Sequence, residues 1–226
     1  MQVYKTYCIP MASGDTAHTM DVSSIRIGTK TALSQLGIFV PDHLPLLEGD
    51  LTLRSADSVV DRILCMHATA ATAYGFSADA ASKWIHDEDL ANSLTKKERK
   101  FINSGVGNAS EFQVQIEGMW ALAWSLSFLD SIKADEPCRS DFVTLLPDLR
   151  RLETASVFRE AAHARPVAQV AEAMDIAFCL HWHLVDTELH NKGWDLEIAP
   201  YGVIERRRAF EWLLSDSSWD DVPLDT

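Results

Sequence analysis

SEFQVQIEGMWALAWSLSFLDSI, Ser110 to Ile132, is the stretch whose reading decides the fold. From Met119 to Leu129 almost nothing is strongly polar on any face, so a helix there has to be covered from all sides, as a central core helix is. Glu117 and Asp130 bracket an apolar run well short of the roughly 20 residues that a bilayer crossing requires. The run is therefore read as the middle of a protein core. Ser110 to Gln113 offers it a capping box at its start.

Working outward, the segments on either side are also helical. Ser55 can cap a helix in which Val59, Ile63, His67 or Ala70, and Tyr74 recur every three or four residues up to Gly75. Ser77 to Leu90 is a weaker helix carrying Trp84, and Thr95 with Glu98 forms a capping box for a short helix ending near Gly105. Asp141 to Ala164 reads as one or two short helices broken near Pro147. Pro166 opens a long helix with Val167, Val170, Met174, Phe178, His181, Val185 and Leu189 on one stripe, and Gly193 is its expected end. Pro200 introduces a last helix, Tyr201 to Leu214. Near the N-terminus, Val3 to Ile9 has strand-like composition, and Val22 to Leu36 reads as a helix ending at Gly37.

The predicted architecture is an all-α, single-domain, orthogonal multi-helix assembly around the central apolar helix. The Pro166 and C-terminal helices pack against that centre, and a short N-terminal strand or extended arm precedes the rest. Residues 1–41 are assigned to the arm and first helix, and residues 42–226 to the main helical domain.

Charge narrows the function. With 20 basic against 33 acidic residues, a net charge of -13 disfavours binding that works by neutralising phosphates, whether of nucleic acid or of an anionic membrane surface. A basic protein partner suits this balance. Cys8, Cys65, Cys138 and Cys179 form no CxxC pair, and no secretory leader pattern precedes the chain, so a cytoplasmic protein with reduced thiols is expected.

The candidate site residues are charged or titratable groups set among apolar ones. Glu117 shares a helical face with Ala121, Trp124 and Phe128, so its carboxylate needs an arginine or several hydrogen bonds to stay ionised. Arg54, Arg62, Arg206 and Arg207 are the candidate partners, with Arg62 and Arg206 placed first. Glu205 and His181 complete the group, which forms either a buried ion-pair network or a pocket for an anion. His181 and His183 lie about 200° apart around a helix, so they cannot grip one metal ion together. Cys179 and His183 stand one turn apart, but no third group accompanies them as a nucleophilic site would require. No zinc-ligand spacing or glycine-rich phosphate loop is present, so neither a metal nor a cofactor is expected.

GVIERRRAFEWLLSDSSWDDVPLDT at the C-terminus resembles the ending of an uncharacterised bacterial family, a domain of unknown function numbered forty-two seventy-two. LRSADSVVDR, LTKKERKFI, EGMWALAWSL and AMDIAFCLHWHL are similar to that family's other blocks in the same order, from about Asp42 to Thr226. Glu211 stands where the pattern has an asparagine. The resemblance implies no activity, cofactor or catalytic residue. The function expected from charge and motif content is a non-enzymatic acidic protein-binding domain, similar in kind to immunity proteins. The alternative is an enzyme or small-anion-binding protein using a buried Glu/Arg/His pocket.

Overall fold

The computed structural model describes residues 20–225, and these are helical with no strand among them. The strand or arm expected at Val3 to Ile9 lies outside the described residues. α1 (Val22–Ser34), α2 (Ala56–Ala73), α3 (Ala78–Asp87) and α4 (Lys96–Ser104) form the first half of the chain. After them come α5 (Ala109–Gln113), α6 (Ile116–Ser125), α7 (Ser156–Ala161), α8 (Val167–Leu189) and α9 (Pro200–Leu213), with three short 3₁₀ turns. The starts follow local chemistry: Asp21, Ser55, Ser77 and Asn108 each accept a backbone N–H from the first turn that follows. Thr95 and Glu98 close the expected capping box.

The helices pack in series. α2 carries α3 and α4 on its outer side and α6 on its inner side; α6 meets α9, α9 meets α8, and α8 meets α1. The larger core runs from α2 through α6 to α9, and a smaller one joins Leu33, Ile38, Val40 and Leu44 to Cys179, Leu180, Ile198 and Val203. α6 is the centre, because every residue from Glu117 to Ser125 is buried.

Helix boundaries differ from the sequence reading in the central stretch and at the end of α8. The central stretch is not one helix: Asn108, not Ser110, caps the short α5, and the chain breaks at Val114–Gln115 before α6 begins. α6 stops at Ser125 in a Schellman closure, with Ser127 left-handed (φ 63°) and Phe128 N–H reaching back to the Ala123 carbonyl, and its remaining carbonyls are taken from outside the helix. Arg165 donates from its backbone to the Ser125 carbonyl and from Nε to the Trp124 carbonyl, and His163 N–H donates to Leu126. α8 likewise ends before Gly193. Asn191 adopts the left-handed conformation (φ 51°), and Lys192 N–H reaches back to the Thr187 carbonyl in a Schellman closure.

The contact between α6 and α9 is unusually close. A Cβ on Gly202 would meet Ile198 Cγ1 at 2.9 Å and Glu117 Cγ at 3.2 Å, and one on Gly118 would meet the Glu205 carbonyl at 3.3 Å. Glycine at both positions brings Arg206 within reach of Glu117.

Trp124 lies at the middle of the series, edge-on to Phe210 with ring centroids 5.9 Å apart and with the Arg165 guanidinium 4.7 Å from its own ring. Trp124→Ala should cost about 3 to 5 kcal/mol. Urea unfolding of the variant checks this, and an unchanged midpoint would show that α6 is not the centre of the core.

Candidate functional site

Glu117, in the first turn of α6, and Arg206, on α9, form the innermost ion pair. Nε and Nη2 of Arg206 donate to Glu117 Oε2 at 2.9 and 2.7 Å. The remaining donors of the guanidinium go to backbone: Nη1 to the Lys133 carbonyl at 2.6 Å and Nη2 also to that of Glu136 at 2.8 Å. Glu117 Oε1 accepts from Cys138 N–H at 2.8 Å. Both side chains are about 95% buried, with exposures of 5% and 4%, so this pair is fully satisfied and fastens the 133–138 loop over the α6–α9 crossing.

The other expected site residues do not join this pair. Arg62, placed first together with Arg206, binds Glu98 of α4 instead, and its Nη1 donates to the Ser93 carbonyl at 3.4 Å. It forms part of the floor of a cleft of about 1150 Å³ between α2, the start of α4 and the C-terminal tail. Arg54 donates to the carbonyls of Trp212 and Ser217, both at 2.6 Å, with its guanidinium 4.3 Å from the Trp212 ring. Glu205 faces Arg208 of its own helix at 3.4 Å. Its burial raises the carboxyl pKa, and Oε2 has no hydrogen-bond partner.

Arg207 and His181 do come together. Arg207 Nη1 lies 2.8 Å from His181 Nδ1. Because a guanidinium only donates, Nδ1 must accept and the imidazole proton sits on Nε2. Burial, reinforced by the Arg207 charge, pushes the His181 pKa down to about 4. Arg207 also donates to the Leu224 and Asp225 carbonyls at 3.2 and 2.7 Å, which holds the C-terminal tail against α9. Its Nε faces Glu211 Oε2 at 3.9 Å, and neither atom has a hydrogen-bond partner.

The sequence reading missed one buried pair altogether. Arg26 of α1 donates to both carboxylate oxygens of Asp175 on α8, at 3.0 and 2.8 Å, and to the carbonyls of Leu44 and Pro45. Asp175 carried the same signal as Glu117, a carboxylate on the apolar face of a core helix. Its partner, Arg26, stands on α1, 149 residues away along the chain.

Residues 26–222 match the model of a protein family described as a domain of unknown function, DUF4272. The chain belongs to the DUF4272 family. The match begins inside α1, upstream of Asp42, where the blocks read from the sequence begin. No match was found among curated proteins or among solved structures.

In this DUF4272 chain the described cysteines and His67 are held out of acid–base and nucleophilic work, while Glu205 Oε2 and Glu211 Oε2 stay without a hydrogen-bond partner. Burial pushes the thiols of Cys65, Cys138 and Cys179 up to about 12, so none is a thiolate at neutral pH. His67, whose pKa burial also lowers, is held by Nε2 against the Pro147 carbonyl at 2.9 Å. Among the described residues no group of three or more His, Cys, Asp or Glu is placed to hold a metal ion, and no helix is long and apolar enough to cross a membrane.

Two measurements test this electrostatic arrangement. Glu117→Gln leaves the Arg206 charge buried without its counter-ion and should destabilise the fold by about 3 to 5 kcal/mol at neutral pH; a neutral urea titration result would show the pair is not needed. His181 has a folded pKa of about 4, below the unfolded value of about 6.5. Its stabilisation is therefore complete above the unfolded value and disappears as pH falls through the folded one. Between those limits the parent should lose about 2 to 3 kcal/mol that His181→Gln does not lose, as read from paired urea titrations.

Proposed function

We propose that this protein is a non-enzymatic binding domain whose acidic surface takes a basic protein partner. The supporting observation is where the charges lie. Arg26, Arg62, Arg206 and Arg207 are buried, and so are Glu98, Glu117, Asp175 and Glu205. The interior therefore contributes no net charge, and the net charge of -13 is carried by the rest of the chain. Such a surface raises the on-rate for cationic partners and repels polyanions.

A second reading, binding of a small anion or catalysis on one, is favoured by the Arg207–Glu211 gap. The two unpartnered atoms adjoin a cleft of about 340 Å³ that is also lined by Leu47, Met174, Phe178 and Leu214. A polar interior end in a mainly apolar cleft of that size is the usual form of a small-molecule site. The observation favours it less strongly than surface charge favours a protein partner, because His181 and two tail carbonyls already take both Nη groups of Arg207.

The first reading is tested with the immobilised full chain at low ionic strength. Proteins retained from a lysate should be predominantly basic and should be released as salt screens attraction over a Debye length of about 8 Å. Recovery dominated by acidic proteins, or a mobility shift of duplex DNA at physiological salt, overturns it. A thermal shift on adding inorganic phosphate or acetate that is lost in Arg207→Lys, with the fold intact, would instead establish the second reading.

A further inference from the structure

Beside the Arg206 clamp lies a small apolar socket of about 70 Å³. Leu180, Val203 and Phe210 form its buried floor, and half-buried Ala173 and Ile176 of α8 form one wall. The volume is on the order of five times what one water molecule needs, room for a single aliphatic side chain and little more. Arg206 borders the socket, but Glu117 and the loop carbonyls already engage its guanidinium, so the socket offers apolar surface.

The rim is acidic. The backbone bond from Ile198 N–H to the Asp135 carbonyl, 2.7 Å, joins the two loops that edge the socket, and these carry Asp135, Glu136 and Glu197. Lys133 is the one basic side chain on that edge, and it is already paired with Glu136. At Ile176 the socket meets a second depression, about 480 Å³, running between α1 and the start of α8. Asp21 and Glu172 line that depression, and no basic residue does.

We propose that this socket and the acidic groove running from it are the docking site for a basic segment of a partner protein, which inserts one aliphatic side chain between Ala173, Leu180 and Val203. The proposal rests on the basic-partner reading and adds the place and the anchor. Charge complementarity selects the occupant: with Arg206 and Lys133 paired, the acids of the flanking loops and of the adjoining depression are in excess, so a cationic segment can cover the apolar hole while its aliphatic anchor fills it. An anchor in a pocket surrounded by polar rim contacts is the usual arrangement of a binding hot spot.

A random dodecapeptide display library sorted on the full chain tests it, followed by affinity measurements on the enriched peptides. Enriched sequences should carry lysine or arginine around one leucine, isoleucine, valine or methionine. Replacing that residue by alanine should weaken binding about tenfold or more, and so should Ala173→Trp, which fills the socket. Glu197→Lys, on an exposed loop position, should weaken it too and guards against misfolding of the tryptophan variant. Basic peptides that bind equally well without the aliphatic residue, or that ignore both Ala173→Trp and Glu197→Lys, would overturn the socket but leave the basic-partner reading standing. Enrichment of acidic or uncharged peptides would overturn both.

Discussion

Glu117 and Arg206 meet because α6 and α9 approach through Gly118 and Gly202, and the rest of the fold depends on that approach. A carboxylate in the first turn of a fully buried helix is tolerable only when its charge and its hydrogen-bonding capacity are both met. Arg206 supplies the charge, and Cys138 N–H takes the other oxygen. The same guanidinium then spends its spare donors on the carbonyls of Lys133 and Glu136. One buried pair thus fixes a helix crossing and the irregular loop laid over it.

That arrangement recurs across the molecule. Without a β-ladder among the described residues, the long connections must find other donors for their carbonyls, and arginine supplies them. Arg26 holds the Leu44–Pro45 turn, Arg54 the Trp212 and Ser217 carbonyls, Arg165 the end of α6, and Arg207 the C-terminal tail. Each anchors a segment far away in sequence, so the charged interior reads as a means of fastening loops. The thiols and the neutral His181 fit that account: they sit where burial suppresses ionisation.

The consequence for function is a separation of charge by depth. The interior is balanced, and the acid excess faces outward, where it acts over nanometre distances rather than through pairwise contacts. The apolar socket beside the 133–138 loop lies where these two levels meet, since the clamp that satisfies Glu117 also positions the loop that borders the socket.

The helices themselves were legible in the sequence, because their signals are local: Ser55, Ser77, the Thr95–Glu98 box, and Pro166 and Pro200 mark starts without help from distant residues. The composition of Met119 to Leu129 also announced a segment covered on all sides, which holds from Met119 to Leu126 and fails at exposed Ser127, and the need for a buried partner for Glu117 followed from its neighbours. The break at Val114–Gln115 and two helix ends were not legible. The ends of α6 and α8 turn on left-handed residues other than glycine, Ser127 and Asn191, and the spare carbonyls of α6 are taken by Arg165, 40 residues beyond Ser125 along the chain. Partner choice was equally hidden: nothing local tells Arg62 to take Glu98 while Arg206 takes Glu117, or brings Arg26 to Asp175. Helix starts and buried faces come from spacing along one segment, whereas ion-pair partners and clefts come from how closely separate helices approach, which only the tertiary packing decides.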